Sequence, residues 1–140
     1  MAKAFGVTFL ILAGFVAFIF FRTGYYEDVK ISSGFQGPFI FVYKKHLGPY
    51  HKIAPIIDEV EDYFKEQQLP CPIAFGRYLH DPNTVEHDRL ESHGGCAFLQ
   101  ASEKLLELAK KGGYLIDRVQ KKEYLVATFN GSPSVGSMKV

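Results

Sequence analysis

FIFVYKKHLGPYHKIAPIIDEVEDYF, residues 39–64, is the stretch on which the fold class turns. Phe39 to Tyr43 are β-branched or aromatic without interruption, the composition of a strand. Gly48-Pro49 stops that strand. Pro49 suits the first turn of a helix, where its missing N–H is not needed. Ile53, Ile56, Ile57, Val60 and Phe64 then recur at spacings of three and four, one apolar stripe on a helix that runs to about Gln68. Asp58, Glu59, Glu61, Asp62 and Glu66 fill its other sides. A solvated helix face explains them more simply than a docking patch.

Working outward toward the C-terminus, Pro70 and Pro72 end the helix. Ile73 to Leu79 reads as a second strand, Asp81-Pro82-Asn83 as a turn, and Gly95 to Gln100 as a third strand. Ser102 is placed to N-cap a short helix through Lys111, with Leu105, Leu106, Leu108 and Ala109 apolar. Gly112 follows as a left-handed C-cap, and Lys110 and Lys111 complement the helix dipole. Tyr114 to Arg118 and Tyr124 to Phe129 are two more strands, joined around Gln120 to Glu123. On the other side of the opening stretch, Val29 and Ile31 alternate with polar neighbours as a short strand, and Gly34 to Pro38 is a turn cluster. The class is α+β: a mostly antiparallel sheet with one long helix on one face.

The first residues follow a different rule. Ala4 to Phe21 reads AFGVTFLILAGFVAFIFF, without a charge. As a helix it would be about 27 Å long, against a hydrocarbon core of about 30 Å. Arg22 can snorkel, and Tyr25 and Tyr26 suit the interface. A cleaved signal peptide fits less well: the run is long for one, and no small-residue cleavage site follows it. The expectation is a transmembrane anchor over residues 4–24, with the lipid bilayer as partner, ahead of a domain over 25–140. Lys3 and the amino group on one flank balance Arg22 and Lys30 on the other, so charge does not orient it.

The bulk composition, 47% apolar and 22% charged with a net charge of +1, is that of a folded protein without a basic stripe. Nucleic acid is therefore not an expected partner. His46, His51, His80, His87 and His93 fall into no ligand spacing, so neither a metal nor a cofactor is implied. No nucleophile elbow or phosphate loop occurs, and no catalytic residue is assigned. Cys96, three residues beyond His93, lacks a demonstrated base. Cys71 and Cys96 are either two small buried thiols or one disulfide, and both readings stand at this point.

Two stretches resemble the GyrI-like effector-binding (SHS2) family. In Phe41-Val42-Tyr43-Lys44-Lys45-His46-Leu47-Gly48-Pro49-Tyr50, a strand turns a Gly-Pro-Tyr corner into a long helix. In Ile73-Ala74-Phe75-Gly76-Arg77-Tyr78-Leu79-His80-Asp81-Pro82, a strand ends in an aromatic and an Asp-Pro turn. Arg89-Leu90-Glu91 and Cys96-Ala97-Phe98 resemble the hairpin strand that comes next. With an N-terminal helix in front, the arrangement is similar to a membrane-anchored subgroup of receptors for autophagy of the endoplasmic reticulum. Its shared features extend to the short helix near Glu103 to Lys111 and to Val126-Ala127-Thr128-Phe129.

The resemblance implies a single-pass protein of that membrane with its domain facing cytosol. It implies a non-enzymatic binding module for a protein partner or a small amphipathic, hydrophobic ligand. Tyr43, Phe75 and Tyr78 are the implied ligand-binding residues. The alternative it offers is a small-molecule hydrolase. Tyr26-Glu27-Asp28-Val29 is the nearest string to an aromatic-acidic docking motif. The family fold is a pseudo-duplicate, and here the second unit reads as incomplete: Ser134 to Val140 falls where its long helix would begin. A bare sheet face would forfeit several kcal/mol at about 25 cal/mol per Å². The expected remedies are a longer product, a homodimer, or cover from the short helix at 103–111.

Overall fold

The computed structural model describes residues 2–22 and 28–128. Tyr25, Tyr26, Glu27, Phe129 and the 134–140 segment lie outside the described residues. The chain divides into two units. One holds helix α1 (Ala2–Arg22) and the greater part of a two-stranded sheet made by β1 (Lys30–Gln36) and β6 (Lys122–Thr128). Every side chain described on α1, from Gly6 to Arg22, is exposed. Among the described residues no helix is long and apolar enough to cross a membrane.

The other unit, Phe35–Lys122, contains a four-stranded sheet in the order β3-β4-β2-β5. Its strands are β2 (Phe39–Leu47), β3 (Ile73–Tyr78), β4 (Glu91–Phe98) and β5 (Leu115–Val119), and all its pairings are antiparallel. Helices α2 (Ala54–Glu66) and α3 (Glu103–Lys111) complete it. The α+β reading with an antiparallel sheet therefore holds.

One core joins these elements. Ile40 and Val42 of β2, Cys96 and Phe98 of β4, Val60 and Phe64 of α2, and Leu105 and Ala109 of α3 form a single buried cluster. Both helices therefore cover the same face of the sheet. The short helix does not cover the second face. Phe64 packs edge-on against Phe98 at 5.4 Å. The Tyr63 hydroxyl donates to the Leu108 carbonyl at 2.9 Å and ties the two helices together.

Several boundaries differ from the sequence reading, each for a local reason. Pro49 caps a 3-10 turn at Tyr50–Lys52, and α2 starts only at Ala54, with Pro55 in its first turn. β1 continues through Ser32, Ser33 and Gly34, so the turn shrinks to Gly37-Pro38. β4 begins at Glu91, four residues early, because it is central and paired along its length by β2 and β3. Pairing on both sides overrides the poor strand propensity of Ser-His-Gly-Gly. After α3 the left-handed residue is Gly113 (φ 72°), whereas Gly112 stays right-handed (φ −78°). Ser102 does cap α3, its Oγ accepting the Leu105 N–H at 3.1 Å.

Cys71 and Cys96 are joined by a disulfide, with Cα atoms 5.5 Å apart. It fastens the segment entering β3 to the middle of β4. The catalytic pairing of Cys96 with His93 is thereby excluded, because no thiol remains. The odd spacing also sets the two side chains on opposite sheet faces.

Candidate functional site

Strand geometry sorts the site. Side chains alternate, so partners in register share a face. Ile40 and Val42 point to the helices, which sends Phe39, Phe41, Tyr43 and Lys45 to the helix-free face. The register adds His93, Gly95 and Ala97 from β4, Phe75 and Arg77 from β3, and Leu115 and Asp117 from β5. The result is an aromatic floor framed by charges.

Small residues make the floor possible. Gly95 and Ala97 lie between the two aromatic strands, and the rings of Phe41 and Phe75 meet at 4.5 Å. Phe39 adjoins Phe41 at 5.8 Å, and Tyr43 stacks on His93 at 4.5 Å. Phe39, Phe41, Tyr43 and Phe75 are half-buried. A Cβ at Gly95 would run into the Val42 carbonyl and the Tyr43 Cα. A Cβ at Gly94, on the other face, would meet Ile57 Cγ1 at 2.9 Å. The Gly94-Gly95 pair thus admits helix α2 on one side and the close approach of β2 on the other.

Two charged groups cross this floor. Arg77 donates from Nη1 and Nη2 to Asp117 Oδ2 at 3.1 and 3.2 Å. The bond joins the two outer strands, so the arginine lies across β4 and β2. Its guanidinium sits 5.0 Å from the Phe41 ring centre and 5.9 Å from that of Tyr43, within cation–π range. Further along, Glu91 Oε1 takes His93 Nε2 at 3.1 Å and Lys45 Nζ at 3.3 Å. The hydrogen bond from His93, then that from Lys45, holds the Glu91 carboxyl below its ordinary value. A carboxylate so stabilised is charged at neutral pH and unsuited to act as a general acid. His93 is buried, and its Nδ1 has no hydrogen-bond partner among the described residues.

The structure brings together two of the three residues implied by resemblance. Tyr43 and Phe75 share the aromatic face. Tyr78 does not: it pairs with Ser92, in phase with Ala74 and Gly76, and so belongs to the helix side. Its ring packs 4.7 Å from Tyr50. Tyr78 thus stands on the other sheet face from Tyr43 and Phe75. Phe41 and Arg77 were within reach of sequence reasoning, each two residues from a residue already singled out. Asp117 was not, since it acts through a partner forty residues away; Glu91 acts through His93, two residues on, and through the distant Lys45.

A concavity lies where the Gly48-Pro49-Tyr50 corner meets the Asp81-Pro82 turn. Pro49, Tyr50, His51, Pro82, His87 and Leu90 line it. Its walls are mostly apolar, and the one phenol it contains is already committed. The Tyr50 hydroxyl donates to the His80 carbonyl at 2.7 Å and accepts the His80 N–H at 2.9 Å. This is a structural clasp of the corner onto the end of β3. Among the described residues no group of three His, Cys, Asp or Glu side chains converges on a metal position.

No protein-family model, curated protein or solved structure matches the chain.

Proposed function

We propose that this protein is a membrane-anchored, non-enzymatic binding module of GyrI-like type. Its helix-free sheet face is the binding surface, for a protein partner or a small amphipathic ligand. The observation that carries the proposal is the aromatic floor of Phe41, Tyr43 and Phe75 on a face that neither α2 nor α3 covers. Half-buried rings flanked by charges suit an amphipathic partner, which buries its apolar side and pairs its polar one.

The anchor reading is supported by α1, a 21-residue helix whose described side chains are all exposed. Large apolar side chains in water are costly, and a bilayer removes that cost. The endoplasmic reticulum is the proposed membrane, on the resemblance alone. For the side the domain faces, the Cys71–Cys96 bond is the relevant chemistry. The resemblance gives a domain facing the cytosol; cytosolic thiol systems keep such pairs reduced, so an intact bond would go instead with the lumenal side.

Photo-crosslinking from the rim tests the surface. Benzoylphenylalanine replaces Leu115 on the aromatic face, or Tyr78 on the opposite one, in the full chain within its own membrane. Adducts from position 115, absent at 78 and lost with Tyr43→Ala or Phe75→Ala, are expected. Equal adducts from both positions would return the aromatics to a purely structural role.

A further inference from the structure

The arginine lying across the floor is itself informative. Arg77 is held by an aspartate and by the faces of two aromatic rings, the three components that recognise a guanidinium from another molecule. We infer that Phe41, Tyr43 and Asp117 form a guanidinium-binding cage, occupied here by the chain's own Arg77. We infer further that an arginine side chain of a partner polypeptide takes its place. This rests on the sheet face being the binding surface and names what that surface recognises.

Three observations support it. First, a guanidinium demonstrably fits, between the Phe41 ring at 5.0 Å and Asp117 Oδ2 at 3.1 Å. Second, its hold is weak enough to exchange. The side chains of the Arg77–Asp117 pair are 33% and 40% exposed, and a pair so placed contributes little net stability. Third, the route of entry is open to a polypeptide. Asp117 stands on β5, whose outer edge pairs with no strand among the described residues. An extended segment laid along that edge would bring its arginine beside Asp117, within reach of Phe41 and Tyr43 on the adjoining strand, and its main chain would pair with the edge.

Displacement has a definite signature. An incoming arginine competes with Arg77 for one site, so removing Arg77 should strengthen binding, where removal of an ordinary contact residue weakens it. A self-occupied cage of this exposure should reduce apparent affinity by about fivefold at most. The measurement is a titration of the full chain in neutral detergent, followed by NMR shifts or calorimetry. The probe is N-acetyl-arginine methylamide, and its citrulline counterpart is the neutral isostere. Arg77→Ala should bind the arginine probe up to about fivefold more tightly than the parent protein. It should show no such gain for citrulline, and Arg77→Ala combined with Asp117→Asn should lose it. Arg77→Gln, which keeps the length of the arm, replaces Arg77→Ala should the latter lose its native circular dichroism.

A folded Arg77 variant with no gain, or with an equal gain for citrulline, would overturn the cage. So would a gain that survives Asp117→Asn. Crosslinks from position 115 report the surface whatever group it recognises. Their presence beside a failed titration would remove the arginine assignment and leave the surface, and their absence would remove the surface.

Discussion

Gly94 and Gly95 show how much a single hydrogen atom decides in β4. At Gly94 the obstacles are side-chain carbons, Ile57 Cγ1 at 2.9 Å and Ile53 Cγ1 at 3.2 Å, which must shift, so Gly94→Ala should cost about 1–3 kcal/mol. At Gly95 the obstacle is backbone, which cannot turn aside. Gly95→Ala should therefore lower the melting temperature more than Gly94→Ala, and paired denaturation curves check the order. Glu91 makes a second prediction at this scale. Its carboxyl titrates lower in the folded chain than in the unfolded one. The stability this gives is fully present above about pH 4.3, the unfolded value, and is lost as pH falls through the lower folded value. Glu91→Gln should thus lower the melting temperature at neutral pH, with the difference closing in acid. What sequence alone made legible here was uneven. Tyr43 and Phe75 could be singled out because aromatics on strands are conspicuous. The separation of Tyr78 from them was readable too, since it stands three residues from Phe75 and odd spacings fall on opposite faces. The Arg77–Asp117 pair was not readable, because forty residues separate its members.

Among the elements, the strands and helices that carry their own periodicity were predictable, and those made by their neighbours were not. β2 and α2 declare themselves through composition and stripe. The first half of β4, Glu91 to Gly94, has no such signature and is a strand because two partners pair with it. The register that places Asp117 beside Phe41 likewise belongs to the sheet and to no single segment. Helix α3 depends on its ends. Its N-cap bond from Leu105 to Ser102 is explicit, so Ser102→Ala should cost about 1 kcal/mol in chemical denaturation, and Ser102→Asp should restore most of it. Because Leu105 and Ala109 belong to the common core, loosening α3 should also destabilise α2.

For the whole molecule, the governing fact is asymmetry: one sheet face is packed by two helices, and the other offers aromatic rings. Across the membrane question, the full chain should stay with membranes after alkaline carbonate extraction. Recovery in the supernatant would remove the anchor from the proposed function. The disulfide should keep both cysteines unreactive to alkylating reagents until a reductant is added. Replacing both by alanine should cost about 3 kcal/mol, the scale expected for a crosslink spanning 25 residues. That same bond has a consequence for how the chain breaks. It closes a ring that contains β3 and the exposed 79–89 segment, the longest connection between paired strands in the Phe35–Lys122 unit. A protease entering there would open the ring without dividing the molecule. The nicked product would migrate as one species until its sulfurs are reduced, and only then separate into two peptides.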